Sequence, residues 1–205
     1  MAGPDKLDVR PLDGDELDVA ALLAARGMRD NPLQKAAIGQ DPDRRLRLMH
    51  RGFSRLLRLD GRSTVGAWDG DRLVGVACSA DPGHCQLSPR ERLRLTPTFL
   101  MAGRAAARMG RWVSAWASYD PAQPHSHLGP IVVDPDLQGR GIGSMLLADY
   151  CDRLDQTGML SYLETDKPEN VRLYERFGYK VTAEADVIGV TSWFMTREPT
   201  PPTGK

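Results

Sequence analysis

Residues 131–146 read Ile131-Val132-Val133-Asp134-Pro135-Asp136-Leu137-Gln138-Gly139-Arg140-Gly141-Ile142-Gly143-Ser144-Met145-Leu146. A β-branched run ends in Asp-Pro, a loop of alternate glycines follows, and an apolar helical pattern opens at Ile142. A strand feeding a glycine loop that opens a helix is suited to holding phosphate. Glycines let main-chain N–H groups turn inward with no Cβ in the way, and a helix N-terminus adds roughly half a positive charge. The segment predicts a phosphate-bearing ligand, a nucleotide-derived cofactor.

Spacing narrows the choice. A dinucleotide fold wants Gly-x-Gly-x-x-Gly. Counted from Gly139 the third glycine falls on Ser144, and counted from Gly141 it falls on Leu146, so both registers fail. The Gly-Lys-Ser/Thr of a P-loop is also missing. What fits is Gln138-x-x-Gly141-x-Gly143, with Val133 and Pro135 upstream and Leu146 downstream. This pattern closely resembles the acyl-CoA pyrophosphate loop of the GNAT superfamily of N-acetyltransferases.

The sequence downstream agrees. Met159–Thr165 is extended and partly β-branched and aromatic, as a strand would be. Asp166-Lys-Pro168 then opens a helix that Gly178 closes, with Asn170 and Tyr174 four apart on one face. Leu-Glu-Thr, then Asn170, then Leu173-Tyr174-Glu-Arg176-Phe-Gly-Tyr179 resembles the second half of the same acyltransferase core, and Ser192–Arg197 resembles its last strand. Within the superfamily the likeness is to the puromycin N-acetyltransferase-like branch, good from Leu128 to Arg197 and only in outline before that.

The resemblance implies a mixed α/β (α+β) fold: a largely antiparallel central sheet, splayed between strands four and five and flanked by helices. It implies acetyl-CoA as cosubstrate and no metal. Ile131, Val132 and Val133 would lie beside the cofactor, and Gln138, Gly139, Arg140, Gly141, Ile142, Gly143 and Ser144 would hold its pyrophosphate. Asn170, Leu173, Tyr174 and Arg176 would complete its site, with Tyr174 next to the sulfur.

Bulk properties set outer bounds. The chain has 205 residues, 41% hydrophobic and 26% charged, which suits one domain, expected over 7–198. Residues 1–6 read as a loose terminus and 199–205, rich in proline, as a disordered tail. With 27 basic and 27 acidic residues the net charge is zero, which gives no support to nucleic acid or an anionic membrane as partner. No leader or spanning segment is evident, and the three cysteines, Cys78, Cys85 and Cys151, have no paired spacing. Both point to a reducing cytoplasm, as a monomer or homodimer. Cys151 falls on the apolar face of a helix. His84-Cys85 and His125-x-His127 contain metal-ligating residue types, but nothing in the sequence joins the pairs.

The N-terminal half reads more loosely. Leu7–Arg10 forms a short strand, and Asp13 with Glu16 resembles a capping box for a helix from Leu17 to Arg26, stopped by Gly27. Asn31-Pro32 is a break. A second helix is expected from Asp43 to Leu59, with a stripe of Leu46, Met49, Phe53, Leu56 and Leu57. Its arginines (44, 45, 47, 51, 55 and 58) read as a solvated face rather than an anion-steering patch. Ser63–Trp68 and Arg72–Ser79 form a hairpin around Asp69-Gly70, where a type I′ turn needs positive φ at both central residues. Ser88-Pro89-x-Glu91 starts a further helix that Thr96-Pro97 interrupts, and another runs to Arg108, stopped by Gly110. Trp112, Trp116 and Tyr119 follow at helical spacing, as core or as the lining of an acceptor pocket. This helical segment before the fourth strand is longer than the fold requires and is a candidate wall of the acceptor site.

Acetyl transfer to an amine needs an acceptor for the ammonium proton, an acid for the departing thiolate and a donor for the carbonyl oxygen. Tyr174 is the candidate acid. Glu164 is the first candidate base, at the C-terminal end of the fifth strand, with His127 and Asp134 behind it. The main-chain N–H near Val133 is the candidate oxyanion donor. The acceptor is expected to be a small-molecule primary amine. The alternatives are a protein or peptide amine, or an acyl-CoA-binding module without catalysis.

Overall fold

The computed structural model describes residues 7–201; the expected loose residues 1–6, and 202–205 of the expected tail, lie outside this range. The described elements run β1 (Asp8–Pro11), α1 (Glu16–Met28), α2 (Pro32–Ile38), α3 (Pro42–Leu56), β2 (Arg62–Asp69), β3 (Arg72–Ala80), α4 (Pro89–Ala102) and α5 (Ala105–Ala117). They continue with β4 (His125–Val133), a 3-10 turn at Pro135–Leu137, α6 (Ile142–Thr157), β5 (Leu160–Thr165), α7 (Pro168–Glu175), β6 (Lys180–Val187) and β7 (Val190–Arg197). The strands form a seven-stranded sheet in the order β1-β2-β3-β4-β5-β7-β6. Every neighbouring pair is antiparallel except β4 and β5, which are parallel.

That parallel pair is short. Only His125–His127 register with Leu160–Tyr162, and beyond them the two strands part company. A staple holds the paired end. Tyr150 on α6 donates to Ser126 Oγ at 2.9 Å, its hydroxyl lies 3.2 Å from Ser161 Oγ, and Ser161 Oγ lies 2.6 Å from the Tyr179 hydroxyl. Ser126 and Ser161 are register partners at the middle of the paired stretch, so the network ties β4 to β5 just before they separate. On its other side β4 carries an extra residue against β3: Gly129 and Pro130 together face Cys78. Such a bulge bends its strand, and proline, which has no N–H to give to a ladder, fits there.

Helices α6 and α7 cover one face. Ile142, Leu146, Leu147, Tyr150, Cys151 and Leu154 of α6 pack with Val74, Leu163, Tyr174 and Met195. On the other face α1 packs with Leu73, Val76 and Cys78, and α2 and α5 pack over β5–β7 through Leu33, Trp112, Trp116, Tyr162 and Phe194.

Several local readings are corrected. Gly27 does not stop α1, which runs on to Met28. A Cβ on Gly27 would stand 2.2 Å from Val132 Cγ1, so this glycine permits α1 to lie directly on β4. The supposed break at Pro32 begins a helix, α2, because proline suits a first helical turn. The N-cap Asn31 gives α2 no side-chain hydrogen bond; the buried carboxylate of Asp166 does, accepting from Leu33 N–H at 2.8 Å. Helix α3 ends at Leu56, short of Leu59. Pro97 lies inside α4, and Gly110 lies inside α5, which extends to Ala117. Packing on both sides overrode the local breakers.

At the N-terminus of α1, Glu16 reaches Asp13 N–H only at 3.5 Å and is taken instead by Arg10 at 2.6 Å, so half of the expected box forms. The box at Ser88 and Glu91 is complete. The hairpin turn sits one residue later than expected. Asp69 pairs with Arg72, leaving Gly70-Asp71 as the central residues, with positive φ at glycine and not at Asp71. Arg45 leaves the solvated face assigned to it. It is 3% exposed and donates to the carbonyls of Arg29 and Gly39 while pairing with Asp30.

Candidate active site

The glycine loop leaves β4 and enters α6 as expected. Asp134 shapes its start, accepting from Asp136 N–H at 3.1 Å and from Arg72 at 2.9 Å. Burial pushes this carboxyl up, but the two hydrogen bonds outweigh it and hold it below the usual range. Asp134 is therefore committed to the loop and leaves the list of bases. Gly141, the N-cap of α6, has φ +84°, and no atom lies within 4 Å of where its Cβ would stand. An L-residue resists that conformation, and a side chain would screen the N–H groups of the first turn. Gln138, Gly139 and Arg140 are exposed around it, whereas the Ile142 side chain is buried in the core. Ile142 thus offers the loop only its main chain. The 16-residue helix behind carries the dipole.

The gap between β4 and β5 continues from this loop. Asp134 N–H donates to Val74 O at 2.9 Å across to β3. N–H groups alternate sides along an extended strand, so those of Val133 and Ile131 point away from β3, into the gap. Val132 is buried beneath Gly27 instead. An uncovered glycine loop joined to an unpaired strand edge fits a ligand with pyrophosphate at one end and a chain of amides at the other.

Two ionisable side chains lie on opposite faces of the sheet where the gap opens. Tyr174 lies in the α6-side core with Leu163, 5% exposed, and its ring stands 5.8 Å from that of Tyr179. Burial, with the Asp166 and Glu164 charges adding to it, pushes its hydroxyl well up, so it keeps its proton at neutral pH. Asn170, one turn earlier on α7, donates to Thr165 Oγ1 at 3.4 Å. Leu173 is half-buried against the same core, and Arg176 is exposed just past the helix.

Glu164 follows Leu163 and so points to the opposite face. Its Oε2 lies 2.7 Å from His127 Nε2, with the two side chains 4% and 18% exposed. Burial disfavours the charged form of His127, but the Glu164 carboxylate, with Cys85 and Asp120, more than reverses this and raises it to about 10. At neutral pH His127 is held as the imidazolium beside Glu164. Asp120 completes a triangle with them, one ligand-type atom of each lying within 4.8 Å of the others.

Trp112 and Trp116 meet edge to face at 5.4 Å and belong to the core, with Trp116 donating to Ser192 Oγ at 3.2 Å. Tyr119 stacks on Phe194 at 3.9 Å, and Phe194 is the register partner of Glu164. The aromatic stripe is a packed wall whose edge stands beside Glu164.

The fold also corrects the cysteine and histidine reading. Cys85 Sγ lies 3.9 Å from His125 O. Burial pushes its thiol up, but the adjoining His125 and His127 outweigh it and bring it down to about 7. The sequence had kept Cys85 apart from these histidines; the return of β4 along β3 brings them together. His84 turns away, its ring against Gly61. Asp120 and Tyr162 were overlooked. Tyr162, two residues before Glu164, was legible from strand alternation alone, whereas Asp120 sits in a Gly/Pro-punctuated connection that carries no periodicity.

The model of the Acetyltransferase (GNAT) family matches residues 33–179. The chain belongs to this family. Solved GNAT-like structures superpose along nearly its full length. One is a Corynebacterium glutamicum protein described as histone acetyltransferase HPA2 and related acetyltransferase, at 21% identity and TM-score 0.72, covering 97% of this chain and 99% of that one. An agmatine N-acetyltransferase aligns at 18% identity and TM-score 0.62, covering 95% and 100%. The Drosophila melanogaster polyamine N-acetyltransferase aligns at 16% and 0.55, covering 94% and 100%. At these identities the likeness is one of fold. It agrees with the mixed α/β fold and mostly antiparallel sheet described above. Among the described residues no helix is long and apolar enough to cross a membrane.

Proposed function

We propose that this GNAT acetyltransferase transfers the acetyl group of acetyl-CoA directly to the primary amine of a small molecule, with both substrates bound together. The observation that carries this reading is the placement of Tyr174 and the Glu164–His127 pair on opposite sides of one gap that opens from the glycine loop. Acetyl-CoA, when bound, supplies an acyl carbon already activated as a thioester.

The main-chain groups of Gln138–Ser144 hold its pyrophosphate, and the β4 edge at Ile131 and Val133 offers donors and acceptors to its amide-bearing arm. Glu164, held in place by the His127 imidazolium, takes a proton from the incoming ammonium group, directly or through water, and frees the nitrogen lone pair to attack. Val133 N–H meets the carbonyl oxygen as it gains charge. Tyr174 gives its proton to sulfur as the carbon–sulfur bond breaks, and the second proton shed by the acylated nitrogen restores the phenol through solvent. The acceptor stands on the face walled by Tyr119 and Phe194, where Asp120 and Glu164 favour a cation.

Acceptor screening with acetyl-CoA, read by mass spectrometry, tests this reading. The panel includes agmatine and polyamines, on which two proteins of similar fold act by their names, puromycin because of the likeness over 128–197, and peptides with free N-termini or lysines. A gain of one acetyl group on a small amine is expected. Acetylation of peptides alone would assign the acceptor to protein, and stabilisation by acetyl-CoA with no CoA release for any amine would leave a binding module.

A further inference from the structure

Buried polar atoms without partners gather at the paired end of β4 and β5. Among the described residues nine buried side-chain nitrogen or oxygen atoms make no hydrogen bond, and Asp120 Oδ1, His125 Nε2, His127 Nδ1 and Tyr162 Oη are four of them. They share one neighbourhood: the rings of His125 and His127 stand edge-on to Tyr162 at 5.5 and 5.1 Å, and Asp120 adjoins His127 and Glu164. Native proteins keep few such orphans, and each costs about 1–3 kcal/mol. Four together in a small volume mark a polar pocket with bonding capacity to spare, and two of them, on Asp120 and His127, belong to side chains that can ligate a metal.

The donor set says which metal. Asp120, His127 and Glu164 each present one ligand atom, all within 4.8 Å of one another. An ion bound at about 2.1 Å to each would hold them about 3.4 Å apart in a tetrahedral arrangement. Small side-chain rotations suffice, the contact between His127 and Glu164 widening from 2.7 Å. One imidazole with two carboxylates suits a first-row divalent transition ion; magnesium, which dehydrates reluctantly and favours oxygen, is poorly matched.

Supports are in place around the set. Gln86 Nε2 donates to Asp120 Oδ2 at 3.2 Å, and the fully buried Tyr162 hydroxyl faces the Glu164 charge. An open cavity of about 560 Å³, lined by Cys85, Gln86, Asp120, Gln123 and His125, gives solvent a way in. A metal site needs such supports and such access.

We propose that Asp120, His127 and Glu164 bind a divalent transition-metal ion of the zinc type, with three protein ligands and the remaining position left to water. The site is read from donor geometry and does not depend on the acetyl-transfer reading. It shares Glu164 and His127 with that chemistry, and the ion must displace the His127 proton to bind, so the ion and an ammonium acceptor exclude each other.

Isothermal titration of the full chain without a histidine tag, with Zn²⁺ and separately Mg²⁺, tests it, and far-UV circular dichroism checks that each variant is folded. One Zn²⁺ per chain is expected, and no binding of Mg²⁺ at the same concentration. Outer supports alone are worth 10- to 100-fold in affinity, so loss of a ligand in Asp120→Asn should weaken Zn²⁺ binding by more than about tenfold. Cys85→Ser should leave it essentially unchanged. Absence of Zn²⁺ binding, equal binding of Mg²⁺, a smaller loss in Asp120→Asn, or a loss confined to Cys85→Ser would each overturn the assignment.

Discussion

In the proposed reaction Tyr174 and Glu164, ten residues apart, handle protons in opposite directions because of where each is buried. The phenol is enclosed by the α6-side core, which favours its neutral, proton-bearing form. The carboxylate is enclosed beside an imidazolium. A positioned acid contributes about 10²- to 10⁴-fold to a rate. Tyr174→Phe should therefore lower kcat by about that factor while acetyl-CoA affinity, measured by calorimetry, stays nearly native. Wild-type turnover in the variant would remove the assignment. At this scale the sequence was legible where a residue's role follows from its own element. The places of Glu164 at a strand end and of Asn170 and Tyr174 on one helical turn could be read directly, while the roles proposed for Asn170 and Tyr174 rest on the resemblance. Asp120 and Cys85 could not, because their neighbours lie on a strand that returns to them only in three dimensions.

The elements divide in the same way. The stretch from the glycine loop to α7 could be read nearly to the residue, since loop, strand and helix signals agree there, whereas β6 could not be given bounds. The errors fell at Gly27, Pro32, Pro97 and Gly110, where a local breaker sits within or at the start of a helix fixed by distant contacts. Asp166, which caps α2 from 133 positions away, is the clearest case. Gly27 allows a test in which two effects oppose. Alanine raises helix propensity by about 1 kcal/mol. Its Cβ, however, would stand 2.2 Å from Val132 Cγ1, and forcing a methyl into a packed contact costs about 1–3 kcal/mol. The contact should win, so Gly27→Ala is expected to destabilise the protein by about 1 kcal/mol in urea denaturation. An unchanged or higher midpoint would show that α1 does not rest on β4. Gly141→Ala meets no atom within 4 Å and costs only the left-handed backbone, about 1–2 kcal/mol. Its larger effect should be weaker acetyl-CoA binding in calorimetry, since the new Cβ sits among the N–H groups of the loop.

At the scale of the whole molecule, Arg197 fastens the end of β7 to the opposite layer. It is 6% exposed, makes two 2.7 Å bonds to Asp155 on α6, and donates to Phe177 O at 2.8 Å. Losing one partner of such a pair costs about 3 kcal/mol, so Arg197→Met should lower the denaturation midpoint accordingly. The hydrogen bonds from Arg197 hold the Asp155 carboxyl below its ordinary value of 3.8, against a smaller opposing effect of burial. A carboxyl depressed in the native state lends stability above its unfolded pKa and loses it as pH falls through the native value. Stability should therefore drop below about pH 4, and the drop should be shallower in Arg197→Met; parallel acid curves for the two proteins would contradict the pairing. The open edge of β4 has a consequence for heredity. A partner met by main-chain atoms is met by atoms that every residue carries. The side chains of Ile131 and Val133 then answer to the core they pack against and not to that partner, provided that the strand persists and the Tyr150–Ser126–Ser161 staple holds only the paired end. Solved structures with barely a fifth of their residues in common with this chain still keep its architecture. Selection at this wall then falls on a backbone path, and the residues it cannot release are the few that set that path.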